Sequence, residues 1–130
     1  MEVINLQKII CVGIGGFIGA TIRYLITINS AKLVNTNISL GTLIANVLGG
    51  FLIGIIMEIS ISTNLISSNM KLFLTTGLMG GLTTFSTFSY ETINLISSGS
   101  YYLGTINICL NLFLSFGGII ASTFLCKTIF

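Results

Sequence analysis

Histidine, proline and tryptophan are absent from this 130-residue sequence, and charged residues make up only 6% of it, five Lys+Arg against three Asp+Glu. A soluble domain carries about 25% charged residues, so too few ionised groups are present to keep a small globule's surface in water. With 53% hydrophobic residues and a mean hydropathy of +1.04, the chain belongs in a membrane. Charge this sparse also excludes a nucleic-acid partner, which requires clustered Lys and Arg. The three cysteines, Cys11, Cys109 and Cys126, lie scattered through apolar runs without CxxC spacing. With no histidine beside them, neither a zinc site nor a disulfide framework is expected, and they read as small apolar residues. Hydrolytic or redox chemistry has no clustered carboxylate pair, histidine or cofactor motif to work with, so the chain is not expected to be an enzyme.

Apolar runs long enough to cross a bilayer are what the sequence has instead. A spanning helix needs about 20 such residues, and four stretches qualify, approximately 9–28, 40–59, 72–96 and 102–126. Polar segments such as Asn29-Ser30-Ala31-Lys32 and Ser97-Ser98-Gly99-Ser100 read as the loops between them. The expected architecture is all-α and integral to the membrane, residues 1–130 forming a single four-helix transmembrane domain. The first span is read as a retained helix rather than a signal peptide, being long, carrying Arg23 and lacking an A-x-A site after it. Four spans place Lys8, Lys71 and Lys127 on one side and Lys32, with or without Arg23, on the other, too small a bias to set one orientation. A four-helix bundle fills its own centre, so a pathway is expected between subunits. Three glycine spacings, Gly15 to Gly19, Gly50 to Gly54 and Gly77 to Gly81, allow helix backbones to approach, either within one subunit or between two.

Polar residues at membrane depth are functional candidates. Arg23 lies about 7.5 Å from the far end of its span, within reach of a headgroup, and Glu58 is interfacial. Asn46 sits six residues into the second span with Thr42 one turn earlier, and either bonds another helix or lines a path. The third span carries Gly77-Leu78-Met79-Gly80-Gly81-Leu82-Thr83-Thr84-Phe85-Ser86-Thr87-Phe88-Ser89, a run of poor helix formers. With no proline in the chain, a break there must come from glycine and hydroxyl residues, and it frees carbonyls to be buried or to coordinate an ion. The alternative is a bent helix whose hydroxyls bond their own i−4 carbonyls. Phe85 and Phe88 share a face; such a pair ordinarily packs in a core or against lipid, although a ring edge is electropositive and attracts anions. Glu91 lies near the end of its span. In the fourth span Asn107, Asn111 and Ser115 form a polar stripe at i, i+4 and i+8.

The run Gly15-Gly16-Phe17-Ile18-Gly19-Ala20-Thr21-Ile22-Arg23-Tyr24, the segment from Gly41 to Phe51 containing Asn46, and above all the string Thr83-Thr84-Phe85-Ser86-Thr87-Phe88 with its preceding glycines closely resemble the Fluc/CrcB fluoride channels. The resemblance covers all four spans in order. It implies an antiparallel, dual-topology homodimer in the inner or plasma membrane that passively exports fluoride through two pores. Asn46, Phe85 and Phe88 would line each pore, the rings presenting their edges to the ion. Carbonyls of Gly80 and Thr83 from both subunits would hold a central structural sodium ion that is not transported. Arg23 would sit near a pore vestibule, and Glu91 matches an acidic position of the family. On the fourth helix the sequence departs from the pattern: Asn107 stands where many members have Tyr, and Asn111 where Ser is common.

Fluoride is small and strongly hydrated, so a pore must replace its water with donors, yet a buried Lys or Arg would hold it too tightly for exit. The Asn46 amide, hydroxyls such as those of Thr42 and Ser115, and Phe ring edges fall in the useful range. A small dual-topology, proton-coupled exporter of organic cations is the alternative. It requires a carboxylate at membrane depth, and neither Glu58 nor Glu91 is mid-span. A non-transporting membrane scaffold is a third reading. A homologous subunit in place of a second copy of the chain also remains compatible with the sequence.

Overall fold

The computed structural model describes residues 5–33, 38–63 and 65–129. Its helices are α1 (Leu6–Leu33), α2 (Leu40–Ser62), α3 (Ser68–Leu72), a π-helical segment (Phe73–Met79), α4 (Gly80–Leu82), α5 (Phe85–Ser97) and α6 (Tyr101–Ile129). Three of these, α1, α2 and α6, are long and apolar enough to cross a membrane. Helix α1 extends past the expected boundary and takes in Asn29-Ser30-Ala31-Lys32. A helix satisfies its own backbone beyond the hydrocarbon, so polarity alone does not end it.

The expected third span follows one helical path from Ser68 to Ser97 that is interrupted at Thr83 and Thr84, both in extended conformation. Within its first half Phe73–Met79 are π-helical, a feature that nothing in the sequence marked. At its far end α5 closes on a Schellman turn: Gly99 has φ 84°, the Ser100 amide bonds the Leu95 carbonyl at 2.9 Å, and the Gly99 amide bonds that of Ile96 at 3.0 Å. Only glycine adopts that conformation cheaply, and the turn sends the chain directly into α6.

Packing rests on backbone approach rather than large side chains. A Cβ on Gly15 would lie 2.5 Å from the Phe73 carbonyl, one on Gly81 the same distance from the Gly16 carbonyl, and one on Gly19 would collide with the Leu78 carbonyl. The glycine spacings of α1 and of the broken helix therefore close on one another within a single chain. Helix α2 lies beside α6 in the same direction, with Gly50 against Ser115 and Gly54 against Ile119 and Ser122.

The burial pattern is inverted relative to a soluble protein. The buried apolar centre is small, Ala45, Met79 and Leu82 with partly buried neighbours such as Ile53 and Leu78. Thr42, Thr84, Thr92, Asn107, Asn111 and Ser122 are buried with them, while Phe17, Phe113, Ile120 and Phe124 are exposed. Water would not tolerate such a surface and lipid favours it; polar groups hide inside the bundle, where they find partners. The chain is an integral, multi-pass membrane protein.

Candidate functional site

The break in the third helical path is held by α2. Thr84 is extended (φ −152°, ψ 116°), so its N–H and C=O point the same way, as in one residue of a strand pair. Asn46 answers both. Its Oδ1 accepts from the Thr84 amide at 2.8 Å, and its Nδ2 donates to the Thr84 carbonyl at 3.3 Å. The Thr84 hydroxyl caps α5 by accepting from the Thr87 amide at 3.2 Å.

These bonds redirect two amides. In a continuous helix the Thr84 and Thr87 amides would return to the carbonyls of Gly80 and Thr83. Both carbonyls therefore lose their helical donors. The Gly81 carbonyl, freed by the same break, accepts from Arg23 Nε at 3.0 Å, so the arginine reaches across from α1 to the broken helix. Other hydroxyls do bond backward within their helices: Thr83 to Met79 and Ser89 to Phe85 in the run, and Thr92 to Phe88 just beyond it. Break and back-bonding coexist. Among the described residues no cluster of His, Cys, Asp and Glu could hold a metal ion. Neutral carbonyl oxygens such as those of Gly80 and Thr83 suit a hard cation instead.

Beside the break lies a cleft of about 360 Å³, into which Asn46, Thr84, Phe85, Phe88, Asn111 and Ser115 project, with Gly80 and Thr83 on its wall. None of its lining residues carries a charge. The Phe85 and Phe88 rings meet edge to face, centroids 5.7 Å apart at 61°. Phe88 is 7% exposed and Phe85 76%. Ser115 Oγ is buried and has no hydrogen-bond partner among the described residues.

Behind the cleft the polar stripe of α6 is wired into a relay. Asn46 Nδ2 donates to Asn111 Oδ1 at 2.9 Å. Asn111 Nδ2 donates to the Asn107 carbonyl at 3.0 Å and to Asn107 Oδ1 at 3.1 Å. Asn107 Nδ2 donates to Thr92 Oγ1 at 2.9 Å, and Thr92 Oγ1 donates to the Phe88 carbonyl at 2.8 Å. A backbone N–H can only donate and a carbonyl only accept, so Thr84 at one end and Phe88 at the other fix the orientation of all three amides.

The sequence candidates thus divide. Asn46, Phe85, Phe88, Asn111, Ser115, Gly80 and Thr83 meet at the cleft. Asn107 is fully buried behind it. Thr42 lies apart, donating to Glu91 Oε1 at 2.7 Å and sharing a 3.2 Å bond with Ser39. Glu91 borders a separate polar pocket of about 440 Å³ with Ser39, Asn94 and Ser98, and its buried Oε2 has no hydrogen-bond partner among the described residues. Sequence reasoning missed Thr84, whose contribution is its backbone, and Thr92, the relay's end. Thr92 shares a helical face with Phe88 at i+4, and a search for hydroxyls facing the Asn stripe would have been the signal.

Residues 10–123 match the model of the family described as CrcB-like protein, Camphor Resistance (CrcB). The chain is 57% identical over 121 residues to the fluoride-specific ion channel FluC of Clostridium novyi (strain NT), a match covering 93% of this chain and 94% of that protein. It is 65% identical over 101 residues to the protein of the same name from Clostridium perfringens (strain 13 / Type A), covering 78% and 79%. With that of Ruminiclostridium cellulolyticum the identity is 43% over 128 residues, covering 98% and 96%. A family match over most of the chain, together with relatives this similar over more than three quarters of their lengths, shows that the chain belongs to the CrcB-like family.

Proposed function

We propose that the protein is a passive fluoride-selective channel that exports fluoride across the cytoplasmic membrane. It is a channel rather than an enzyme, as its named relatives are. The observation that carries the reading is the uncharged cleft at the helix break, where the Asn46 amide, the Ser115 hydroxyl and the Phe85 and Phe88 rings converge. Partial positive charges distributed along a path replace fluoride's hydration without trapping the ion. Phe88 and Phe85 supply edges, Asn46 an N–H, and Asn111 and Ser115 continue the polar track. Asn107 backs this path through Asn111, and Thr42, Glu91 and Arg23 are at its approaches.

In this reading the chain spans the membrane four times, the broken path from Ser68 to Ser97 being the third span, and residues 1–130 act as one domain. It works as an antiparallel dual-topology homodimer with two pores. The exposure of Phe85, a cleft residue, supports a second copy closing over it. The Gly80 and Thr83 carbonyls of both copies would hold one structural sodium ion, which would add a fixed positive field near the pores. The proton-coupled exporter has no such support, since neither Glu58 nor Glu91 lines the cleft.

The test is efflux from liposomes containing the purified protein alone, loaded with equal fluoride and chloride. Rapid release of fluoride without chloride is expected. Release of neither ion, with or without a co-reconstituted homologue, would overturn the reading.

A further inference from the structure

Both N–H groups of Asn46 are already engaged, one by the Thr84 carbonyl at 3.3 Å and one by Asn111 Oδ1 at 2.9 Å. An anion entering the cleft competes for the longer bond first. Asn111 also lines the cleft, yet it turns its oxygen to Asn46 and both of its N–H groups away, toward Asn107. Two potential donors at the wall are thereby withdrawn from the ion.

We infer that Asn107, which does not line the cleft, is a positioning residue that holds the Asn111 amide reversed, so that a passing anion meets one Asn46 N–H rather than a cage of amide donors. This deepens the fluoride-channel reading and rests on it. Asn107 is 0% exposed, and its own amide is locked by Thr92 Oγ1 at 2.9 Å, which the Phe88 carbonyl orients in turn. With its Oδ1 accepting from Asn111 and its Nδ2 spent on Thr92, Asn107 cannot reverse without leaving a donor facing a donor. Without that lock only the Asn107 carbonyl at 3.0 Å and Asn46 Nδ2 oppose rotation of Asn111 about its amide axis. When it turns, its NH2 group faces the cleft, and the Asn46 N–H it had engaged is released to the same space. Donors added to a pore deepen the well in which the ion sits, and conduction requires wells shallow enough to leave.

The test compares Asn107→Leu, Thr92→Val, the double variant and Thr92→Ser, each reconstituted alongside wild type, with fluoride flux measured against fluoride concentration. Leu keeps the side-chain branching of Asn107 and Val that of Thr92, in each case without the polar atoms. For Asn107→Leu and Thr92→Val the half-saturating concentration is expected to fall by at least about tenfold, the effect of one added charge-assisted donor. Maximal flux falls with it. The double variant behaves as Asn107→Leu alone, because both changes open one lock, and Thr92→Ser, which keeps the hydroxyl, restores the wild-type curve. Loss of flux with an unshifted concentration dependence, or additive effects in the double variant, would overturn the inference. A second readout needs no conduction: the Asn111 side-chain amide protons, followed by exchange in isotope-labelled protein in nanodiscs, are protected in wild type and exposed in Thr92→Val. Unchanged protection would overturn the inference, whereas a wild type that passes no fluoride would overturn the channel reading and leave this exchange result to decide the relay.

Discussion

Asn46 clamps the extended backbone of Thr84 through both ends of one amide, accepting its N–H at 2.8 Å and donating to its carbonyl at 3.3 Å. The clamp substitutes for the helical bonds that the break removes, and it brings the one polar side chain between Thr42 and Glu58 of α2 to the edge of the cleft. One residue therefore both stabilises the interruption and lines the space beside it.

Replacing Asn46 separates these roles. In Asn46→Asp a carboxylate still accepts the Thr84 amide, but it faces the Thr84 carbonyl and Asn111 Oδ1 without a proton to give either. Fluoride flux is expected to vanish, and the lost pairing to cost about 1–3 kcal/mol of stability. Liposome efflux and denaturation in detergent measure the two effects, and wild-type flux would refute the pore assignment.

The two phenylalanines are predicted to differ in stability but not in function. Phe88→Ile removes a buried ring that packs edge to face with Phe85, and flux should be lost, with about 1–3 kcal/mol of destabilisation. Phe85→Ile acts on a ring that is largely exposed in one copy, so the isolated chain should lose under about 1 kcal/mol while flux still falls. Flux assays paired with unfolding curves for each variant check both statements.

Arg23 is predicted to matter to the fold. Arg23→Met strands the Gly81 carbonyl that accepts from Nε at 3.0 Å, which should lower stability by about 1–3 kcal/mol. Lysine has no Nε–H at that point of its chain, so Arg23→Lys should restore the charge but not the bond. Thermal unfolding of both variants tests this; a neutral Arg23→Met would return the residue to a purely interfacial role.

Two glycines of α1 should respond in opposite ways to alanine. In Gly19→Ala the new methyl meets the Leu78 carbonyl and stands 2.8 Å from the Leu82 amide, both backbone atoms that cannot step aside. Overpacking of this kind costs about 1–3 kcal/mol, and the separation of α1 from the broken helix should also draw Arg23 off Gly81. Gly13 has nothing within 4 Å of its Cβ position, so Gly13→Ala should raise stability by up to about 1 kcal/mol through helix propensity alone. Denaturation midpoints of the pair compare the two cases directly.

Much of this was legible in one dimension. Apolar run length and sparse charge determined that the chain belongs in a membrane. The glycine and hydroxyl run from Gly77 to Ser89 pointed to a break or a bend within it, because propensity is a local property, and the structure put the break at Thr83 and Thr84. Composition and order of motifs were also sufficient to suggest the family. The tertiary structure alone decided which polar groups meet. Asn46 finds Thr84 and Asn111, and Arg23 finds Gly81, across separations of 38, 65 and 58 residues that no periodicity encodes. It decided that the glycines of α1 pack against their own chain, that residues 73–79 wind as a π-helix, and that Asn107 stands behind the cleft while Asn111 stands at it. An amide carries a donor at one end and an acceptor at the other, so its type can be read from the sequence. Its direction is set by whichever distant backbone group it meets first.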